Sequence, residues 1–423
     1  MRRSHETLHS SPIINMTQNQ TVFLEPAWNL HGFQQQMIEH PPAGYKFVVN
    51  GSAQQKVLRN AAGWELARSL LAASASAVPM TLAKAWLQRW DKTSSTTDLT
   101  YAVDHLVFRP APWVVEVEYA TALVGMRPSH LKRFGRVVEK ALASPFCRKI
   151  LCWSEAGRRS LQENLSPEGF RDKIELVHYA VPPRSFVKQH RDEKVRLLFV
   201  GSGAAAGAFE GRGSEVFDMF AVLCQRYPNL ELAVRSDVPA KVKARYKGMA
   251  NLRIMDQPIP REALEHEYQM ADVFLLPSYG TAPFTILEAM SYELPVVTID
   301  SWANSEYVED GKTGLVARRP RKVPPLYAGT RQPNFLAPDF SDMLRVPDAE
   351  MVADLASKVA LLIDNQELRR QMGRAARWEV EHGKFSLTRM NEKLGRIFDE
   401  ALGRGHAEQM GQAFPNAASR FSE

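Results

Sequence analysis

Cysteine is scarce. Cys147, Cys152 and Cys224 are the only three in 423 residues, and none stands in a CxxC or mixed Cys/His spacing. That pattern excludes a disulfide framework and gives no sign of a structural zinc site, and it fits a reducing cytosol. Long apolar runs are missing too. The longest weakly polar stretch, ELARSLLAASASAVPMTLAKAWL, is broken by Arg68, Pro79 and Lys84, which are too costly for a simple membrane span. The opening MRRSHETLHSSPIINMTQNQ has two arginines with no continuous apolar segment behind them, which argues against a signal peptide. Residues 1–15, before Met16, read as an unstructured leader or as the result of an upstream start choice, with disorder expected through residue 19. The eleven histidines form no HExxH and no local triad pattern, and GxxxxGK[ST] does not occur.

What is present is ordinary globular composition, 45% hydrophobic and 24% charged. The length exceeds what one core comfortably serves, so two domains with a binding cleft between them are expected. The charge is uneven: residues 1–186 carry 22 Lys/Arg against 15 Asp/Glu, in a chain whose net charge is +6. Nine of those basic residues fall between Arg127 and Arg159 against two acids, Glu139 and Glu155, which suits an anionic partner.

Both halves alternate short β-branched runs with helical patterns, the signal for parallel sheets covered by helices. In the first half the strand candidates are TVFLEPA, YKFVVN, DLTYAV, WVVEVE, KILCWS and KIELVHYA, with helical patterns around 60–72, 80–90, 129–143 and 155–165. VPPRSFVKQHRDEK, residues 181–194, makes a linker. The alternation restarts with VRLLFVG, LELAVRS, NLRIMD, DVFLLPS, PVVTID and TGLVA, helices falling near 213–226 and 261–271. The expected organisation is a first domain over 1–187, a second over 188–384 with a Pro-rich loop insertion at 318–347, a helix over 385–402 and a mobile tail over 403–423.

The most informative stretch is PSYGTAPFTILEAMSYELPVVTID, residues 277–300. Ligands of open parallel sheets bind where strands end and helices begin. Here Pro283 opens a helix, and the free amides of Phe284 and Thr285 at its positive end suit a phosphate. Glu288, one turn on, can accept hydrogen bonds from a hydroxyl pair such as a ribose diol. Its plainer reading is an exposed acid on a packing helix. Continued to Ala317, the stretch resembles the donor-site signature of retaining family 4 glycosyltransferases of the GT-B fold: two Glu eight positions apart ending in LEAMA-x-G-x-PVV, then E-x-V-x-DG-x-x-G. The resemblance places the ribose-binding role on Glu288. It also shows departures: the first family Glu falls on Gly280, and the usual Gly-Phe-Gly becomes Thr281-Ala282-Pro283.

Three further stretches carry candidates. In LLFVGSGAAAGAFEGRGSEVF, Gly201, Ser202 and Gly203 allow close backbone approach to phosphate oxygens. The Arg and Lys that clamp the donor diphosphate in the family fall on Ser202 and Arg212; Arg212 can serve as a cation there or be a solvated first-turn residue. In RPAPWVVEVEYATALVGM, a six-residue strand puts Glu116 and Glu118 on one face. By the resemblance Glu118 stands where relatives often have a His near the donor sugar, so it is the candidate to position an acceptor hydroxyl; the plainer reading is an edge-strand acid in solvent. In SHLKRFGRVVEKALASPFCRK, an apolar stripe of Leu131, Phe134, Val138, Ala141 and Leu142 is flanked by Lys132, Arg133, Arg136 and Lys140. Docking of the 130–149 region on an anionic membrane surface is one reading, and a helix packed on the first sheet is the plainer and weightier one.

The expectation is therefore an α/β protein of GT-B architecture, two Rossmann-like parallel-sheet domains facing a cleft. The resemblance implies a metal-independent, cofactor-free retaining transferase moving a sugar from a nucleotide diphosphate sugar to a saccharide or lipid-linked acceptor in polysaccharide or glycolipid synthesis. It would be cytoplasmic, or peripheral on the inner membrane face, without nucleic acid. The donor site would comprise Gly201, Ser202, Gly203, Arg212, Gly280, Thr281, Ala282, Phe284, Thr285 and Glu288, with Glu118 catalytic. The helix at 385–402 resembles the family's helix that returns to the first domain. Two rivals stand: a nicotinamide-linked enzyme using GSGAAAG, which lacks a convincing ribose acid after LELAV, and a catalytically impaired nucleotide-sugar binder or scaffold, motivated by Gly280 and Ser202.

Overall fold

Val, Ile, Leu and Phe dominate the short extended runs, and the period of burial along them shows how each is used. The computed structural model describes residues 19–26, 30, 32–49, 79–88, 97–189, 194–201, 213–257, 259–321 and 348–404. The leader, the helical pattern at 60–72, nearly all of the 318–347 loop, the tail beyond 404, and Ser202, Gly203 and Arg212 lie outside the described residues.

The first sheet comes from β1 (Gln20–Pro26), β2 (Tyr45–Val48), β3 (Leu99–Val103), β4 (Trp113–Val117), β5 (Cys147–Cys152) and β6 (Ile174–Leu176). The order is β2-β1-β3-β4-β5-β6 and every pairing is parallel. β3 and β4 are buried at every position, as central strands covered on both faces must be. Around them run α1 (Gly32–Glu39), α2 (Met80–Leu87), α3 (Pro128–Ala143) and α4 (Glu155–Asn164), with a 3₁₀ segment at Ala120–Val124. Pro128 opens α3, and the Ser154 hydroxyl caps α4 by accepting from the Gly157 amide at 2.9 Å.

The second sheet contains β7 (Arg196–Val200), β8 (Glu231–Arg235), β9 (Leu252–Met255), β10 (Val273–Leu276), β11 (Val296–Ile299) and β12 (Gly314–Ala317), in the order β12-β11-β10-β7-β8-β9 and again all parallel. Its helices are α5 (Ser214–Arg226), α6 (Ala240–Arg245), α7 (Arg261–Met270), α8 (Pro283–Ser291), the single turn α9 (Asn304–Tyr307), α10 (Ala349–Asp364) and α11 (Gln366–Glu381).

The last helix, α12 (Leu387–Ala401), belongs in packing terms to the first sheet. Its Met390, Leu394, Ile397, Phe398 and Ala401 share a core with Val22, Leu24, Tyr101 and Val114. Phe398 sits edge-on to Tyr45, Phe47 and Tyr101, and Glu400 pairs with Lys149 of β5 at 2.6 Å. The opposite face of that sheet is covered by α2, α3 and the 3₁₀ segment through Leu82, Ala85, Leu123, Leu131 and Val138.

Candidate functional site

In a parallel sheet the loops at the carboxyl ends of the strands face the ligand, so the site is built from the segments after β10 and β11 in one domain and after β1, β3 and β4 in the other. The segment after β10 is pinned rather than loose. The Ser301 hydroxyl donates to the Tyr279 carbonyl at 2.7 Å, the Asn304 side-chain amide to the Ser278 carbonyl at 2.8 Å, and the Ala303 amide to the Thr281 hydroxyl at 2.9 Å. Thr281 is thus committed to holding the loop. Gly280 lies in the open: a Cβ built there meets nothing within 4 Å. Ala282 supplies no side-chain cap to α8, and Pro283 stands in the first turn, so the amides of Phe284 and Thr285 have no intrahelical partner. The Phe284 ring reaches across to Gly32 of α1, where a Cβ would stand 3.3 Å from it.

Glu288 is 5% exposed, not the exposed acid of the plainer reading. Its Oε1 lies 2.5 Å from Arg261, the first residue of α7, and 3.6 Å from Arg184 in the segment joining the domains. Glu265 completes the group, 3.3 Å from Arg184 and within hydrogen-bond reach of Arg261 at 2.9 Å. Burial and the Glu288 charge push the neighbouring Tyr268 phenol well above its ordinary value. Two arginines that the sequence pattern did not single out therefore surround the acid that it did.

On the first domain the acids are arranged differently from expectation. β4 is central and ends at Val117, so Glu118 lies just past a five-residue strand and is not on an edge. Its amide donates to Asp104 Oδ1 at 3.0 Å, and α4 presses on its carbonyl: a Cβ at Gly157 would stand 2.6 Å from that oxygen. Next to it, Tyr119 meets Trp302 of the second domain edge-on at 5.6 Å, and the residue after Trp302 is the one bound to Thr281. Glu118 and the Gly280 loop are connected in this way across the cleft.

Glu116 is the deeply buried acid, 3% exposed. It accepts from the Tyr101 hydroxyl at 2.8 Å and closely from that of Tyr179. Burial lifts its carboxyl to about 8, the phenol hydrogen bonds working against the shift and the nearby Asp104 charge adding to it. Burial likewise lifts Asp104 to about 6, opposed by the Glu118 amide. A third acid, Glu25 at the end of β1, goes the other way. Burial alone would raise it, but His105 at 3.4 Å and Arg109 at 2.8 Å outweigh that and bring it to about 2.

The domains are also clasped beside the cleft. Glu306 of α9 accepts the amides of Glu155 and Ala156, at 2.6 and 2.8 Å, and so caps α4 from the other domain. The Tyr307 hydroxyl donates to the Trp153 carbonyl at 2.5 Å. Glu306 is the acid of the E-x-V-x-DG motif, a spacing visible in the sequence whose cross-domain partner was not. Gly201 directly follows β7, its amide bound to the Arg235 carbonyl at 2.8 Å and its Cα facing the buried Ser236 hydroxyl.

Two all-parallel six-stranded sheets, each wrapped in helices and facing the other across a cleft, define a GT-B architecture. Comparisons with known proteins agree. The family described as Glycosyl transferases group 1 matches residues 168–328. An alpha-D-kanosaminyltransferase of Streptomyces kanamyceticus is 26% identical over 217 residues, 49% of this chain and 46% of that protein. The chain thus aligns over about half the length of this curated relative. HepE of Anabaena, solved in complex with UDP and glucose, matches with TM-score 0.55 at 12% identity over 90% of this chain and 99% of that one. WaaG, a glycosyltransferase involved in lipopolysaccharide biosynthesis, matches with TM-score 0.54 at 14% identity over 89% and 99%. At those identities the structural likeness concerns the fold.

Proposed function

We propose that the chain is a retaining glycosyltransferase of the family 4 kind, moving a sugar from a nucleotide diphosphate sugar to an acceptor hydroxyl in polysaccharide or glycolipid synthesis. The observation that carries the reading is Glu288, a buried carboxylate one turn from two unpartnered helix amides, on the helix after β10 and within the residues that the glycosyltransferase family matches. The UDP and glucose bound by HepE and the lipopolysaccharide role of WaaG support the donor and acceptor classes.

In this reading the Glu288 carboxylate accepts hydrogen bonds from a ribose diol, with Arg261 and Arg184 fixing its orientation. As the glycosidic bond breaks, charge gathers on the departing diphosphate, and the amides of Phe284 and Thr285 stabilise it. The departing phosphate oxygen takes the acceptor proton on the same face, so neither a protein nucleophile nor a metal is needed. Glu118, opposite the Gly280 loop, positions the acceptor hydroxyl. The proposed setting is the cytoplasm.

A thermal-shift panel of UDP, GDP, ADP and their sugars tests this on the wild type, Glu288→Ala and Arg261→Ala. One diphosphate is expected to raise the Tm of the wild type by several degrees, as about 2.7 kcal/mol of stabilisation at a hundredfold excess over Kd would do. Glu288→Ala should weaken that binding roughly 10- to 100-fold, the worth of a charged hydrogen bond. Equal shifts in all three proteins would reject the site. The unoccupied side-chain space at Gly280 favours one second reading, a nucleotide-sugar binder without turnover. Release of nucleotide diphosphate from any activated sugar rejects that one.

A further inference from the structure

The turn α9 is only four residues long, yet it is bound on two sides. Behind it, the segment after β11 holds the loop after β10: Ser301 bonds the Tyr279 carbonyl, Ala303 the Thr281 hydroxyl and Asn304 the Ser278 carbonyl, at 2.7, 2.9 and 2.8 Å. Ser301, Ala303 and Asn304 are all buried. Ahead of it, Glu306 and Tyr307 grip the first domain at the Glu155 and Ala156 amides and the Trp153 carbonyl. The segment 301–307 therefore touches both halves of the molecule.

What it grips is the start of α4. A helix leaves its first amides without partners, and here the Ser154 hydroxyl serves Gly157 while Glu306 of the other domain serves Glu155 and Ala156. A carboxylate also suits the positive end of the helix. In turn, α4 holds the segment that follows β4 at two points. Gly157 lies against the Glu118 carbonyl, where a Cβ would stand 2.6 Å away, and the Ser160 hydroxyl accepts from the Ala120 amide at 3.1 Å. Contacts thus run from Thr281 through Ala303, Glu306 and α4 to Glu118. The grip is releasable: burial raises the Glu306 carboxyl above its ordinary value although both amides oppose the shift, so desolvation offsets much of what the two bonds contribute.

We propose that Glu306 is a positioning residue, through which the 278–281 loop of the second domain sets the placement of Glu118 in the first. The sugar-transfer roles of the two ends rest on the proposed glycosyltransferase reading, whereas the coupling between them rests on these contacts. A sugar nucleotide seated at the Gly280 loop favours the pinned arrangement of Thr281 and Ala303, which keeps α9 in place and Glu306 on α4. Helix α4 then holds Glu118 where an acceptor hydroxyl is received. With the loop empty, the carboxylate leaves its two amides to water more often, and the segment 118–120 loosens. Binding on one side is linked in this way to order on the other, and an occupied acceptor side tightens the donor side by the same factor.

Hydrogen exchange of the full chain, followed on peptides spanning 115–124 and 153–162, tests the assignment without any ligand. Thr281→Val should speed exchange at 153–162 by about threefold or more, the worth of a neutral hydrogen bond, although the substitution lies in the other domain. Glu306→Ala should speed it by about tenfold or more, the worth of a charged one, and should speed 115–124 as well. Glu306→Gln keeps one acceptor oxygen, should restore part of the protection in both peptides, and carries the same comparison where Glu306→Ala fails to fold. In the Glu306→Ala background, Thr281→Val should add nothing. The nucleotide diphosphate that raises the Tm should slow exchange of both peptides in the wild type and of neither in Glu306→Ala. Glu306 is a static staple, and the proposal fails, if Thr281→Val acts only within the second domain, if Glu306→Ala leaves 115–124 unchanged, if the two effects add, or if nucleotide protects Glu306→Ala as it does the wild type. A protein that binds none of UDP, GDP and ADP rejects the sugar-transfer reading instead, and the ligand-free comparisons still decide the coupling.

Discussion

Glu116 on β4 of the first domain and Glu288 on α8 of the second are both almost fully buried, yet their company differs in kind. Glu288 faces two guanidinium groups, Arg261 and Arg184. Glu116 faces two phenols, Tyr101 and Tyr179. Phenols satisfy a carboxyl's hydrogen bonds without supplying charge, so desolvation wins and Glu116 holds its proton to about pH 8. Glu25, equally buried, shows the cationic alternative within the same sheet: with Arg109 and His105 beside it, its value falls to about 2. Burial sets the size of the penalty, and the partners decide whether a charge survives it. An acid with cations around it can stay charged, as Glu25 does, while an acid with phenols around it serves as a neutral brace.

The largest effect expected from breaking this contrast is on pH dependence. Glu116 has a folded-state value above its unfolded one, so its contribution to stability is fully present below about pH 4.5 and is lost as pH rises toward about 8. Glu25 has the reverse sign: its contribution is present above about 4.5 and is lost as pH falls toward about 2. Between pH 5 and 8 only Glu116 of these two tilts the profile, by up to about 1.4 kcal/mol per pH unit. Glu116→Gln should flatten denaturant-derived stability across that window and leave the acid limb unchanged. An unchanged slope would mean that Glu116 is ionised at neutrality.

A smaller effect is expected at Gly157. Helix propensity alone would make Gly157→Ala stabilising by up to about 1 kcal/mol. The new Cβ would stand 2.6 Å from the Glu118 carbonyl, a backbone atom that cannot swing away. Strain should prevail, with a net loss of about 1–3 kcal/mol in chemical denaturation and a raised KM for acceptor. A stabilised variant would show that the Glu118 backbone is free to move.

The smallest effect on stability should come from Gly280→Glu, which adds a carboxylate to the loop after β10. The position is open and its φ is not left-handed, so the Tm should stay within the change that about 0.5 kcal/mol produces. Turnover of nucleotide sugar should rise if the loop lacks only that acid. Unchanged turnover would assign sugar contacts elsewhere.

All twelve described strands coincide with runs legible in the sequence, because parallel strands covered by helices leave short β-branched and apolar stretches. α1 escaped notice because GFQQQMIE has too weak an apolar period, and α6 because AKVKAR is one short charged turn beyond a proline. At the site, Glu288 and the open helix end were visible as a local spacing. Arg184 and Arg261 were not, since what makes them partners of Glu288 is the packing of the linker and α7 against α8. Glu116 and Glu118 both stood out in the sequence, but the strand ends one residue earlier than its sequence pattern suggests. That shift concealed the fact that Glu116 is the acid sealed inside.

The return of α12 to the first sheet has a consequence for how the molecule is made. Met390, Leu394, Ile397 and Phe398 close a core whose other walls, from Val22 to Ala180, precede the whole second sheet in the chain. Until the final turn of that helix emerges, the amino-terminal half exposes an apolar slot on one side of its sheet. Synthesis therefore leaves that apolar face open while the second sheet is made, and exposed apolar surface of this kind is what makes partly folded chains prone to aggregate.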